Sequence, residues 1–315
     1  MRENWKLTVV GLGGIGGLLS APLVRQYGDR ITLVARGRRG AALRTEGLTL
    51  RSDVYGDFTV HPPAVVETPE ELPVQDVILV CVKNGNLPEV ARQIAPIVGP
   101  ETIVLTVMNG VTAGRVLRAA LGKGTVLESV IYTVSSAGAD CSITQKGKFT
   151  QIYTGAAPGD EAGHAAALEV AEILTGAGIE CHVEEDVRVS IWNKYVLNCA
   201  YNVGTARWAC TIGDIKADPG RVDDCRALMD EARRVGVACG VPLDGDLVEK
   251  QLRRIMKTTD DSTSSLSRDF AAGRSGELEV FCGDVIRMAE EHGVDVPVTA
   301  AYYAALQDIA VGFAR

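Results

Sequence analysis

Cysteine pairs with metal-ligand spacing are missing from this sequence, although it contains eight cysteines. None of the eight belongs to a CxxC motif, and their spacing resembles no zinc site. Several lie in apolar runs, where a free thiol packs as a small hydrophobic group. We therefore expect no bound metal and a reducing compartment, for which the cytoplasm is the simplest choice.

An excess of basic charge is also missing. The net charge is -8 and the isoelectric point is about 5.2, which argues against binding to nucleic acid or to an anionic membrane. One uncharged run, Leu7 to Val24, is interrupted by five glycines, and no other stretch is long enough to cross a bilayer. We expect a small-molecule partner, no nucleic acid and no membrane.

The order of apolar patterns predicts two domains, as the chain length also suggests. Short β-type runs alternate with helical patterns as far as about residue 185, and helical patterns alone continue from there. Asp76–Val82 is apolar on both faces, which is typical of a central parallel strand. We predict an α/β fold with a Rossmann-type doubly wound sheet in residues 1–185, an all-helical domain in residues 186–315, and a cleft at their boundary.

Three local elements are predicted from turn residues. One hairpin joins residues 48–50 to 57–60, and a second turns around Lys146-Gly147-Lys148. A helix in the second domain begins before Glu277 and ends at Gly293.

A glycine-rich loop lies between the first predicted strand and the first predicted helix. Gly11, Gly13 and Gly16 form a GxGxxG motif, which has a mechanism only where a strand precedes it and a helix follows. There the glycines permit a tight turn, close approach of a pyrophosphate, and close packing of helix on strand. The predicted cofactor-binding residues of this loop are Gly11, Gly13, Gly14, Ile15 and Gly16. The alternative is a glycine turn in an α/β unit that binds no cofactor.

Three more cofactor candidates follow predicted strands. Arg36 stands where an NAD site usually has an acid, and a guanidinium there suits the 2'-phosphate of NADP. Lys83 is the second candidate, beside phosphate or ribose. Asn109 would either cap the next helix or face the nicotinamide ribose and the substrate. A solvated basic turn and an exposed lysine are the alternatives for Arg36 and Lys83.

The first helix of the second domain has a polar stripe. Lys194, Asn198 and Asn202 are spaced i, i+4, i+8 and so share one face of an otherwise apolar helix. A carboxamide suits a hydroxyl or carboxylate, and a lysine can supply the proton for a carbonyl oxygen that is being reduced. A solvated interdomain face is the alternative. Ser265 and Glu277 are further polar residues near an apolar helix downstream.

Taken together, these motifs resemble those of the ketopantoate reductase (2-dehydropantoate 2-reductase) family over nearly the whole chain. The matching motifs are GLGGIGG, Arg36, Lys83 after VCV, the Asn109-Gly110 turn, Trp192-Asn193-Lys194 with Asn198 and Asn202, and SSLSRD followed by GELE.

The resemblance implies NADPH-dependent reduction of a 2-oxo acid, namely ketopantoate to pantoate in pantothenate and coenzyme A biosynthesis. By motif position, Lys194 and Glu277 match the family's catalytic residues. Substrate contacts are implied for Asn109, Lys194, Asn198, Asn202, Ser265 and Glu277, and cofactor contacts for Arg36, Lys83 and Asn109.

Departures from the family pattern leave the substrate open. Val203-Gly204-Thr205-Ala206 replaces the common Pro-Leu-Thr-Ala, Leu266 replaces a common methionine, and residues 275–279 read SGELE where PTEID is common. A reductase of another 2-oxo acid and a non-enzymatic NADP(H)-binding sensor are therefore alternative hypotheses. The sequence does not decide the oligomeric state, and a homodimer is one expectation.

Overall fold

The computed structural model describes residues 4–314, which form two compact units. The first unit ends at Val187 and the second begins at Arg188, two residues beyond the boundary expected from the sequence. The first is built on a mixed sheet and the second is helical.

One ten-stranded sheet forms the centre of the first unit. Nine of its strands follow the order β4-β3-β9-β8-β7-β6-β1-β2-β5, and β10 pairs with β9. The strands are β1 (Leu7–Val10), β2 (Ile31–Val34), β3 (Leu48–Ser52), β4 (Phe58–Val60), β5 (Ala64–Val66), β6 (Val77–Val80), β7 (Ile103–Thr106), β8 (Thr125–Ala137), β9 (Ile143–Gly155) and β10 (Glu180–Glu184).

Five helices accompany this sheet in the first unit. They are α1 (Gly14–Tyr27), α2 (Gly37–Thr45), α3 (Leu87–Ile94), α4 (Ala113–Leu121) and α5 (Glu161–Gly176).

Two apolar clusters cover the two faces of the parallel part of the sheet. Val9 and Leu79 belong to one cluster, which includes Leu19 of α1. Ile78 of the same strand β6 belongs to the other, with Leu117 of α4. Adjacent residues of a strand point to opposite faces, so β6 is buried on both sides, as its continuous apolar sequence predicts. The predicted doubly wound sheet is confirmed.

The order in which strands are added to the sheet reverses at β1. Strands β2 and β5 lie on one side of β1, and β6 and β7, which come later in the chain, lie on the other. These pairings are all parallel. A ligand of an open α/β sheet binds at such a topological switch point, beyond the carboxyl ends of the strands.

The hairpin predicted at Lys146-Gly147-Lys148 is wrong, whereas that between β3 and β4 is confirmed. Strands β8 and β9 are antiparallel, and the chain turns between them at residues 138–142. Gly147 has φ +87° and lies within β9, where the pairing shifts register between Tyr132 and Val134. A glycine with positive φ occurs in β-bulges as well as in turns, so Gly147 alone does not distinguish a bulge from a hairpin turn.

In the second unit, the regular secondary structure of the described residues 188–314 consists of helices joined by turns and loops. Its helices are α6 (Val187–Arg207), α7 (Ile212–Lys216), α8 (Pro219–Ala238), α9 (Leu247–Lys257), α10 (Ser265–Ala271), α11 (Asp284–His292) and α12 (Pro297–Val311). Helix α8 begins at Pro219, after Asp218, whose carboxylate accepts from the N–H groups of Gly220 and Arg221.

A π-helical segment, Glu279–Gly283, precedes α11. The predicted helix start, before Glu277, is wrong. Glu277 lies in the turn that precedes the π-helical segment. Gly273 and Gly276, with φ of +68° and +58°, interrupt the helical backbone there. The predicted end of the helix at Gly293 is confirmed.

Three chemical features of residues 4–314 bear on the class of protein. All eight cysteines are free thiols. No group of three or more histidine, cysteine or acidic residues in this part of the chain could hold a metal ion. None of the helices in this range combines the length and the hydropathy needed to cross a membrane.

Candidate active site

Four parallel strands of the first unit end level with one another. Val10, the last residue of β1, lies opposite Val34 of β2 and Val80 of β6, and Val80 lies opposite Thr106 of β7. The residues that follow these strands are therefore at one edge of the sheet. This edge has the glycine loop, Arg36, Lys83 and Asn109, which are the predicted cofactor-binding residues.

Packing within the chain requires glycine at Gly11 and Gly16 of the loop, but not at Gly13. A Cβ on Gly11, whose φ is +93°, would lie 2.5 Å from the Val82 side chain, and one on Gly16 would lie 1.9 Å from the Gly11 carbonyl oxygen. A Cβ on Gly13 would meet no atom within 4 Å. The chain leaves this space open beside the start of α1, where the N-cap residue Gly13 has no side chain to occupy the first N–H groups. The loop therefore fits the phosphates of a dinucleotide.

Strand β8 supports the same loop from the side. A Cβ on Gly14 would lie 2.9 Å from the carbonyl oxygen of Ser135, and the Ser135 hydroxyl donates to the Gly14 carbonyl at 2.8 Å. Ile15 is half-buried and packs against the core. These contacts fix the shape of the loop independently of any ligand.

Arg36 and Lys83 are both exposed at this edge. Arg36 is the N-cap residue of α2, and its guanidinium is 3.4 Å from the Gln93 side-chain oxygen in α3. The neighbouring Arg39 instead donates to the Cys141 carbonyl at 3.3 Å. Arg36 is thus the arginine whose position after β2 matches the adenosine-ribose end of a dinucleotide site.

Asn109 does not cap α4, because Thr112 is the N-cap residue of that helix. The Asn109 carbonyl accepts a hydrogen bond from the Asn84 side chain at 2.9 Å. Gly110, with φ +92°, completes the turn. The sequence does not predict this contact, because 25 residues separate the two asparagines.

In the second unit, helix α6 contains the three residues of the predicted polar stripe, Lys194, Asn198 and Asn202. Lys194 and Asn198 are half-buried, and Asn202 is buried. The Asn198 side-chain amide makes no hydrogen bond within residues 4–314, so its donor and acceptor are open to a ligand. The intervening Tyr195 and Val196 are fully buried, which shows that the opposite face of the helix packs in the core.

Burial and charge act in opposite directions on Lys194. Burial lowers the pKa of Lys194 to about 8, and the carboxylate of Glu277 opposes that change. The burial effect is the larger of the two. Such a pKa lies close to physiological pH, where a lysine can act as a general acid.

Asn202 and Ser265 are bonded to each other. The Asn202 Oδ1 atom accepts from the Ser265 hydroxyl at 3.1 Å and from the Leu266 N–H at 3.3 Å. Asn202 thus holds the first turn of α10. The adjacent Thr205 hydroxyl donates to Ser264, the N-cap residue of that helix.

The turn that presents Glu277 is held by Asp269. Arg274 donates twice to one oxygen of this carboxylate, at 3.1 and 2.7 Å. A Cβ on Gly276 would lie 2.9 Å from the other oxygen. The buried carboxylate and the glycine therefore fit together and fix the backbone next to Glu277.

A dinucleotide-type sheet edge in one unit, and a half-buried lysine influenced by a glutamate in the other, are features of an oxidoreductase. The family described as "Ketopantoate reductase PanE/ApbA" matches residues 7–159, and its C-terminal family matches residues 186–310. The chain belongs to the ketopantoate reductase family.

Similarity to individual proteins extends over almost the full chain. A 2-dehydropantoate 2-reductase of Mesorhizobium japonicum is 28% identical over 97% of this chain and 98% of its own. A crystal structure of a PanE/ApbA family ketopantoate reductase from Ralstonia eutropha superposes with a TM-score of 0.88 at 26% identity, covering 98% and 100% of the two chains. D-mandelate dehydrogenase, in a ternary structure with NADH and anilino(oxo)acetate, shares the fold with a TM-score of 0.86 at 16% identity, covering 98% and 99%.

Proposed function

We propose that this protein reduces ketopantoate (2-dehydropantoate) to pantoate with NADPH, as a step of pantothenate and coenzyme A biosynthesis. The observation on which the proposal rests is the half-buried Lys194 on the polar face of α6, whose pKa is lowered by burial to about 8 against the opposing charge of Glu277. A proton donor with this pKa suits carbonyl reduction near neutral pH. Further support comes from the Mesorhizobium relative, which is named a 2-dehydropantoate 2-reductase.

NADPH is the proposed cofactor because Arg36 follows β2. Its guanidinium would pair with the 2'-phosphate. Lys83, which follows β6 on the other side of β1, would add positive charge. The glycine loop would hold the pyrophosphate, and the Asn109 side chain would face the nicotinamide ribose and the substrate. When bound, NADPH supplies the hydride that reduces the C2 carbonyl.

The side chains of the second unit have the remaining roles in this proposal. Lys194 as an ammonium donates its proton to the C2 oxygen, which becomes the hydroxyl of the product. Glu277 orients the ammonium and favours its charged form. Asn198 and Ser265 hold the polar groups of the substrate, and Asn202 fixes Ser265 through their hydrogen bond.

Two departures from the family pattern concern internal packing. A Cβ on Gly204 would lie 2.8 Å from the Trp208 ring, so this glycine makes room for the indole. Leu266 is 1% exposed, and its side chain lies close to Gly276. Neither residue needs to contact the substrate, which supports ketopantoate as the substrate despite these differences.

The third departure favours a second candidate, a reductase of another 2-oxo acid. Residues 275–279 differ from the family pattern directly around Glu277, and Ser275 is exposed. A different side chain beside the catalytic carboxylate would change which substrate substituent is accepted.

The proposal also includes a location in the cytoplasm and a homodimer. Size-exclusion chromatography with light scattering tests the homodimer.

A screen of NADPH oxidation across 2-oxo acids tests the proposed function. Ketopantoate is expected to give the highest kcat/KM among branched and unbranched acids. A higher value for another acid would favour the second candidate. Binding of NADPH without oxidation by any acid would favour a sensor. Lys250→Ala is a matched control, because this exposed lysine pairs with Asp244 and Asp246 and should leave the rates unchanged.

A further inference from the structure

The π-helical segment Glu279–Gly283 begins two residues after Glu277. Its geometry is closed by the Asp284 N–H, which donates to the Glu279 carbonyl five residues earlier. The N–H groups of Val280 and Phe281 donate to the Glu277 carbonyl at 3.0 and 3.2 Å. Segments of this kind are rare and occur frequently at functional sites. The backbone of Glu277 is thus bonded directly to the π-helical segment.

Tyr195 contacts this segment from α6, where it is the residue after Lys194. Its hydroxyl donates to the Val280 carbonyl at 2.5 Å. The side chain is 1% exposed, and its ring stands edge-on to Trp192 with centroids 5.4 Å apart. A fully buried phenol is tolerated only where its hydroxyl has a partner. The apolar packing alone would be met by phenylalanine, so the hydroxyl has a separate purpose.

We propose that Tyr195 is a positioning residue of the reduction site, whose hydroxyl fixes the π-helical segment and thereby the place from which Glu277 acts on Lys194. The connection consists of two hydrogen bonds. Tyr195 donates to the Val280 carbonyl, and the Val280 N–H donates to the Glu277 carbonyl. The inference rests on the proposed function, because it assigns Tyr195 to the same lysine and glutamate.

Electrostatics supports this connection. The charge that raises the pKa of Lys194 against the effect of burial is that of Glu277. Loss of the Tyr195 hydroxyl would let the π-helical segment relax and Glu277 move. Burial would then act with less opposition, and the pKa of Lys194 would fall further below 8.

Tyr195→Phe tests the proposal because it retains the ring, its volume and the contact with Trp192. Two measurements are made on the full chain: the pKa of Lys194 by NMR titration of lysine labelled with ¹³C at the ε position, and kcat with NADPH and the best 2-oxo acid. We expect the pKa to fall by about half a unit or more. We expect kcat to fall about ten- to hundredfold, with an unchanged KM for NADPH, because misplacement of catalytic groups slows the reaction step.

Tyr302→Phe is the matched control. Tyr302 also donates its hydroxyl within the second unit, to Asp224 at 2.5 Å, and its ring stands edge-on to Trp208. It should leave the pKa of Lys194 and kcat unchanged. An unchanged pKa in Tyr195→Phe, or an equal change in both variants, would overturn the proposal. If the parent protein reduces no 2-oxo acid, the proposed function fails, and the NMR titration still decides the role of Tyr195.

Discussion

The Ser265 hydroxyl donates a hydrogen bond to the Oδ1 atom of Asn202, 3.1 Å away, across a sequence separation of 63 residues. Asn202 is 4% exposed, whereas Ser265 is exposed at the start of α10. Two residues that the sequence offers as separate substrate contacts are therefore linked, with one inside the protein and the other at its surface. Their replacement should have different consequences.

Asn202→Ala should lower stability as well as activity. It removes the acceptor of the Leu266 N–H and leaves that buried group without this partner, which costs about 1–3 kcal/mol. Thermal unfolding should therefore occur several degrees lower, since about 1 kcal/mol shifts Tm by a few degrees in a domain of this size. Differential scanning calorimetry of the variant measures this change.

Asn198→Ala serves as the comparison on the same helix face. Its half-buried amide makes no hydrogen bond within residues 4–314, so Tm should stay nearly unchanged while KM for the 2-oxo acid rises strongly. Ser265→Ala should also raise KM with little change in Tm. A large drop in Tm for Asn198→Ala would instead assign it a structural role.

The sequence predicted the elements whose signals are local. The glycine loop is an example, since its strand, glycines and helix are consecutive, and the same holds for Lys194, Asn198 and Asn202 on one helix. Gly147 shows the limit, because a glycine with positive φ suits both a turn and a bulge. Asn84, Tyr195 and Asp269 could not be assigned their contacts, because the partners of the first two lie 25 and 85 residues away, and Asp269 acts through a turn whose shape depends on Gly276.

NADPH should bind more tightly than NADH because Arg36 follows β2 at the cofactor edge. A charge-assisted pair with the 2'-phosphate is expected to give about tenfold to a hundredfold preference. Arg36→Ala should remove most of this preference and leave NADH affinity unchanged. Fluorescence titration with both cofactors measures it.

Arg44→Ala is the control for that titration. Arg44 lies in the last turn of α2, away from the helix start, and pairs with Glu67. Its replacement should preserve the preference. Equal affinities of the parent protein for NADPH and NADH would contradict the role of Arg36.

The rate of reduction should fall as pH rises through the pKa of Lys194. The ammonium form donates the proton, and burial lowers that pKa to about 8. The value of kcat/KM should therefore be high below pH 8 and decrease above it. Glu277→Gln removes the charge that raises the pKa, so the decrease should begin at a lower pH. A profile that does not change with this substitution would contradict the role of Glu277.

Lys194→Ala should lower kcat by about 10²- to 10⁴-fold, the usual contribution of a general acid. NADPH affinity should barely change, because the glycine loop and Arg36 belong to the first unit. If Lys194 and Glu277 act together, the variant that combines Lys194→Ala with Glu277→Gln should be less impaired than the product of the single effects. Steady-state kinetics of the four proteins gives this comparison, and Lys250→Ala controls for loss of a lysine.

Product analysis of a reaction containing NADPH, ketopantoate and the purified protein tests the proposed function most directly. Chromatography of the acid and absorbance of the cofactor are followed together in the same sample. The expected result is one pantoate formed for each NADPH oxidised, with Lys194→Ala about 10²- to 10⁴-fold slower. Absence of pantoate under conditions where the protein binds NADPH, or formation of pantoate at the parental rate by Lys194→Ala, would contradict it.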